Sequence, residues 1–223
     1  MKNGLTLFLG VFATLALSWA GLLLTAHRQI GGLGQFKDPA DETLYPQPLS
    51  GLADQGRLVY QDLGCVTCHT QQVRHEGFGS DLARKWGERG SYARDYIRDQ
   101  TVLIGQNRLG PDLRNVGARL GEAKPAEYAE WFYKLLYAPQ SVAKGTNMPA
   151  HPFLFDVHPV AGRQPSAHAL TLPSKFAPGP GLEVVPTARA VALAAYLQSL
   201  KDSYDYPTER SRNAPAPHKE AGH

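Results

Sequence analysis

The sequence predicts an all-α protein: a single N-terminal transmembrane helix followed by one helical domain with long loops. Three observations carry this. Gly4 to Ala26 is a run of 23 residues without a charge, rich in Leu, Phe, Val and Ala. Pro125 to Tyr137 places Tyr128, Trp131, Phe132, Leu135 and Leu136 at i, i+3, i+4, i+7 and i+8, a single apolar helix face. Seventeen prolines and 22 glycines in 223 residues point to loops between such helices rather than to repeats, and none is found. The expected organisation is an anchor over 1–28, a linker over 29–50, a domain over 51–201 and a flexible polar tail over 202–223. A net charge of +3 is too small to argue for a nucleic-acid partner.

At about 1.5 Å per residue, the first run is long enough for the roughly 30 Å hydrocarbon core of a bilayer. Ser18-Trp19-Ala20 resembles the cleavage site of a signal peptide. The apolar run continues through Gly21-Leu22-Leu23-Leu24, however, beyond the usual length of a signal peptide's hydrophobic region, so an uncleaved anchor is expected. Lys2 on one side and Arg28 and Lys37 on the other leave orientation undecided by charge. Gln29 to Ser50, with three glycines and three prolines, reads as an irregular tether.

Within the domain, a helix is expected from about Leu52 to Leu63, burying Val59 and Tyr60, with Gly56 allowing close approach of another helix. Ser91 to Gln100 reads as a helix capped by Ser91, with Tyr92, Ala93, Tyr96 and Ile97 inward and Arg94, Asp95, Arg98 and Asp99 in water. Pro125 suits the first turn of the main helix and Pro139 stops it. Pro152 to Pro186 lacks convincing periodicity and reads as an ordered surface excursion. Thr187 caps a final helix, Ala188 to Leu200, whose Val191, Ala194, Ala195, Tyr196 and Leu197 suit a close crossing with the Gly56–Tyr60 helix.

Chemistry concentrates in Gly64-Cys65-Val66-Thr67-Cys68-His69. Two cysteines three apart with a histidine next read as a covalent attachment site for one c-type haem. Each thiol can add to one vinyl group of a porphyrin, and the following imidazole then meets the iron. Cys65 and Cys68 are the only cysteines, too few for a structural zinc site, and His27, His75, His151, His158, His168, His218 and His223 show no pair at ligand spacing. Bacterial c-haem is attached outside the cytoplasmic membrane, which places the domain in the periplasm.

The motif gives meaning to other residues. An iron-bound imidazole needs an acceptor for its second ring N–H, often a backbone carbonyl. Pro111, in Asn107-Arg108-Leu109-Gly110-Pro111-Asp112-Leu113, is expected to supply it and orient His69. Met148 is the only methionine besides Met1 and lies in a loop after the main helix, so it is the expected sixth ligand, with His151 and His158 as fallbacks. Thr70 to Leu120 holds nine basic and six acidic residues. The excess reads first as a solvated face; the functional reading is a docking surface or neutralisation of the haem propionates, for which Arg74 and Arg108 are the candidates.

The chain resembles the membrane-anchored monohaem cytochrome c subunit (subunit II) of cbb3-type haem–copper oxidases. The resemblance rests on the N-terminal span, Gly64 to Arg74, Arg108-Leu109-Gly110-Pro111-Asp112-Leu113, Tyr137-Ala138-Pro139-Gln140-Ser141-Val142 and Asn147-Met148-Pro149-Ala150, in that order. It implies a class I cytochrome c-type haem domain with Cys65 and Cys68 on the haem and His69 and Met148 as axial ligands. It also implies a bacterial inner-membrane location. The implied partners are a haem–copper oxidase catalytic subunit and a further cytochrome c subunit or a soluble cytochrome c. With both axial positions filled by protein, the subunit itself breaks no bonds. Alternative readings are a haem c subunit of another membrane complex, such as a nitric oxide reductase, a free membrane-tethered shuttle, or a haem sensor or small peroxidase.

Overall fold

The computed structural model describes residues 3–119, 125–161, 164–202, 204–207 and 209. The chain divides into two compact units, one formed by Met1–Pro46, Tyr92–Gln100 and Thr208–His223, the other by Gln47–Ser91 and Thr101–Pro207.

In the first unit, α1 (Gly4–Trp19), a π-helical turn (Ala20–Leu24) and α2 (Thr25–Ile30) run on as one helix over Gly4–Ile30. No side chain on it is buried, and its 27 residues have a mean hydropathy of 2.1 in the most apolar window, long and apolar enough to cross a membrane. A two-residue antiparallel pair, β1 (Phe36–Lys37) and β2 (Leu44–Tyr45), follows. The expected helix over 91–100 is instead one 3₁₀ turn, Ala93–Tyr96. Asp95 accounts for the difference. Its carboxylate accepts the Tyr92 N–H at 2.8 Å and is 4% exposed, so it is not the water-facing residue that helical periodicity required. A short acidic side chain that bonds the nearby backbone competes with helix propagation. Ser91 is not the cap either, since its hydroxyl accepts the Val73 N–H at 3.0 Å.

The second unit is built on a helix crossing. In α3 (Gly51–Asp62) the cap is Ser50, whose hydroxyl accepts from Ala53 N–H at 3.3 Å. In α7 (Ala188–Ser199) it is Thr187, which accepts from Ala190 N–H at 3.4 Å and donates to the Leu154 carbonyl at 2.8 Å. The two helices touch at Gly56, where a Cβ would lie 1.9 Å from the Ala192 carbonyl oxygen, so only glycine fits. Tyr60 and Tyr196 pack edge to face beside that contact, 5.5 Å between centroids. Next come α4 (Val116–Arg119), α5 (Pro125–Tyr137) and α6 (Pro139–Val142). From α5, Tyr128, Phe132 and Leu136 enter the core as its spacing predicts, and Trp131 packs against it half-buried. Burying a side chain of this size contributes about 1.5–3 kcal/mol, so this face fixes the helix more than its propensity does.

Two corrections follow. The all-α expectation is too narrow, because β3 (Phe155–Pro159) and β4 (Leu182–Pro186) pair antiparallel inside the segment read as irregular. They lack the alternation of a half-buried strand: only Phe155 is buried on β3, while Glu183 and Val184 are buried side by side on β4. Glu183 is held by accepting the Ser166 N–H at 2.6 Å. In the stretch expected as a loose tail from residue 202, Asp202, Tyr204 and Tyr206 are held against the rest of their unit. Asp202 pairs with Arg114 at 2.7 Å, Arg89 donates to the Tyr204 carbonyl, and Tyr206 is 2% exposed. Residues 203, 208 and 210–223 of that expected tail lie outside the described residues.

Candidate functional site

The site begins where α3 stops. Gly64 takes a left-handed conformation (φ 68°) and gives its N–H to the Gln61 carbonyl at 3.0 Å, ending the helix in the manner usual for glycine. A 3₁₀ turn over Cys65–Thr67 follows, in which Cys68 and His69 both donate their N–H to the Cys65 carbonyl, at 3.2 and 3.0 Å. Side chains three apart in a 3₁₀ turn eclipse one another. Cys65 and Cys68 therefore lie toward one side of the turn. Cys65, Cys68 and His69 are half-buried and both thiols are free. Burial pushes the Cys65 thiol up to about 11, so it stays protonated at neutral pH.

A second loop, residues 104–114, is zipped onto this turn. Gln71 N–H reaches the Ile104 carbonyl at 2.8 Å, Gln106 N–H the Val66 carbonyl at 2.9 Å, Gly110 N–H the Cys68 carbonyl at 3.0 Å, and Leu113 N–H the Thr70 carbonyl at 2.8 Å. The zip brings His69 Nδ1 to 2.8 Å from the Pro111 carbonyl oxygen. A carbonyl only accepts, so Nδ1 carries a proton there and Nε2 is the ring nitrogen left to meet a metal. Gly110 lies against the same ring, where a Cβ would sit 2.3 Å from Cε1. The imidazole is thus held by one hydrogen bond and one tight backbone contact.

Buried charge stiffens these loops. Asp81, wholly buried, receives Arg74 at 2.8 Å and Arg108 at 2.6 Å. Burial alone would raise its pKa, but the hydrogen bonds from Arg74 and Arg108 outweigh it and hold the carboxyl down at about 2. Both arginines expected at the haem propionates therefore carry a protein carboxylate as partner. Arg108 also gives Nε to the Thr70 hydroxyl at 3.0 Å and Nη2 to the Gln72 carbonyl at 2.5 Å.

Met148 is half-buried and packs against the core, as Cys65 and Val66 do. Its loop leaves α6 through Gly145 (φ 74°), and the Met148 N–H is tied to the Thr146 hydroxyl at 3.2 Å. The His151 N–H returns the chain to α5 by bonding the Leu136 carbonyl at 2.8 Å. His151 is held below the usual histidine range, first by burial and also by His69, which places it in the electrostatic reach of that ring. His158 sits on β3, 3.4 Å from Glu183.

The residues suit a covalently held haem. Two thiols lie three residues apart on one turn, an imidazole whose Nδ1–H is taken by the Pro111 carbonyl presents Nε2, and Cys65 and Met148 pack against the apolar core. Among the described residues no group of three or more His, Cys, Asp or Glu side chains is disposed to hold a bare metal ion, so a protein-only tetrahedral centre is poorly supplied with donors. Asp81, Asp112 and the ring contact of Gly110 are features that sequence reasoning missed. An aspartate after a proline reads as an ordinary turn residue, and nothing local signals that it is buried.

The family model described as "Cytochrome C oxidase, mono-heme subunit/FixO" matches residues 5–172 of the chain. No curated protein matches it.

Proposed function

Because the chain belongs to the family of mono-haem cytochrome c oxidase subunits, we propose that it relays electrons to a haem–copper catalytic subunit through one covalently bound haem c. The observation that carries the reading is the His69 Nδ1 to Pro111 carbonyl bond, 2.8 Å long, which leaves Nε2 available to a metal. Cys65 and Cys68 hold the haem as thioethers, and His69 and Met148 are its axial ligands. When bound, the haem supplies a one-electron Fe(III)/Fe(II) couple. The chain's own residues fix the ligands, exclude water and close both axial positions, so no substrate site remains at the iron. Arg74 and Arg108 spend their charge on Asp81 and contribute by pinning the loop beside His69. The helix over Gly4–Ile30 anchors the protein in the bacterial inner membrane, with the haem domain in the periplasm. The donor is a further cytochrome c subunit or a soluble cytochrome c.

The test is purification of the natively expressed full chain from membranes. A haem that survives denaturing electrophoresis and co-purification of a haem–copper subunit are expected. Covalent haem without such a subunit would leave a membrane-tethered shuttle instead. Carbon monoxide should not bind the reduced protein, and ready binding would refute the closed His69/Met148 site, as would an unchanged haem spectrum in Met148→Ala.

A further inference from the structure

We infer that Asp112 is the positioning residue of His69: its buried carboxylate holds the Pro111 carbonyl against the imidazole. The inference rests on the haem reading of residues 65–69. Asp112 is wholly buried, and its N–H shares a peptide plane with the Pro111 carbonyl that His69 uses. Its Oδ2 accepts the Thr70 hydroxyl at 2.5 Å and the Gln72 N–H at 2.8 Å, and its Oδ1 accepts the Arg114 N–H at 2.9 Å. One carboxylate thus grips the residue after the ligand and the peptide that carries the acceptor.

The donors around it leave no freedom in this arrangement. Arg108 Nε can only donate, and it points at Thr70 Oγ1 from 3.0 Å. The Thr70 hydroxyl must then accept from Arg108 and spend its proton on Asp112. Gln72 and Arg114 also present backbone N–H groups. Three donors converge on two oxygens, which an ionised carboxylate satisfies and a carboxamide does not, because its NH₂ would face a donor. The 2.5 Å O–H···O contact lies in the range of a charge-assisted bond.

The function of the clamp follows from the chemistry of a metal-bound imidazole. A tight Nδ1–H···O bond raises the basicity of Nε2 and stabilises the oxidised metal. A loosened bond lowers that basicity and lets the Nδ1 proton exchange.

The experiment uses the haem-loaded full chain in detergent and reads two quantities, solvent exchange of the His69 Nδ1 proton by NMR and the midpoint potential. In Asp112→Asn, exchange should speed up about tenfold, the factor that goes with losing about 1.4 kcal/mol of hydrogen bond, and the potential should rise. Thr70→Val keeps the Asp112 charge but removes the bridge, and should move both quantities the same way. If Asp112→Asn does not load haem, Thr70→Val decides alone. Asp202→Asn breaks a partly buried ion pair with Arg114 and should lower stability while leaving both readouts unchanged. Unchanged exchange in Asp112→Asn or in Thr70→Val overturns the inference, even where the potential of Asp112→Asn rises from loss of charge. A wild-type chain without covalent haem overturns the haem reading and this inference with it.

Discussion

Gly110→Ala isolates the ring contact at His69 more cleanly than any change to the ligand itself. The new Cβ would meet His69 Cε1 at 2.3 Å, Nδ1 at 2.7 Å and Nε2 at 3.0 Å. Carbon atoms pack at about 3.5–4.0 Å, so the ring must withdraw by more than about 1 Å. The Nδ1 bond to Pro111 starts at 2.8 Å, and half that movement takes it past the usual limit of about 3.2 Å. The backbone has little room to yield instead, since Gly110 N–H is tied to the Cys68 carbonyl at 3.0 Å. Gly110 is not among the glycines of positive φ, and a residue before proline prefers the extended region, so alanine brings no backbone strain of its own. The cost is overpacking of about 1–3 kcal/mol plus a lost hydrogen bond of about 0.5–1.5 kcal/mol. Denaturant titration of the haem-loaded protein measures the loss, and the absorption spectrum and potential report the disturbed ligand. Gly181→Ala is the control. Its φ is 74° and a Cβ there meets nothing within 4 Å, so it costs backbone strain alone, about 1 kcal/mol, and leaves the spectrum unchanged. A Gly110→Ala protein with wild-type stability and spectrum would refute the reasoning.

Other expectations concern the frame around the site. Gly56→Ala forces α3 and α7 apart, because its Cβ would lie 1.9 Å from the Ala192 carbonyl oxygen, and should cost about 3 kcal/mol or more in denaturant unfolding. A loss below about 1 kcal/mol would mean the crossing is looser than drawn. Thr187→Ala removes the α7 cap and the bond to the Leu154 carbonyl and should cost about 1–2 kcal/mol, read as a lowered midpoint at unchanged slope. For Asp81 the folded pKa of about 2 lies below the ordinary 3.8, so its stabilisation is present above pH 3.8 and is lost as pH falls toward 2. That difference is worth about 2 kcal/mol. Asp81→Asn should abolish this part of the acid dependence, and an unchanged pH profile would show that the arginines do not set it.

How far the sequence could be read depended on whether the signal was local. Pro125 to Tyr137 announces itself because five large apolar residues recur at helical spacing, and α5 has those bounds. The α3–α7 crossing was legible too, since a glycine in one apolar stripe and alanines in the other leave room for close backbones. The stretch 91–100 misled because its alternation of aromatic and charged residues fits a helix, while the deciding fact is Asp95 turning back on its own backbone. Strands β3 and β4 were invisible because neither alternates, and their pairing spans a proline-rich connection. At the site, Pro111 could be placed from the chemistry a metal-bound histidine requires. The buried ties of Asp81 and Asp112 could not, because each joins residues many positions apart.

The Cys65–Thr67 turn follows the end of α3 after two residues, and α3 is the helix packed against α7 at Gly56. On the proposed function, a redox centre held there would hang from the end of a tightly packed helix. Electron transfer is slowed by every atom that must move when charge arrives. On the proposed function, a turn that follows α3 so closely would limit such movement before any partner is met, because α3 itself is held by a helix contact too close for a methyl group.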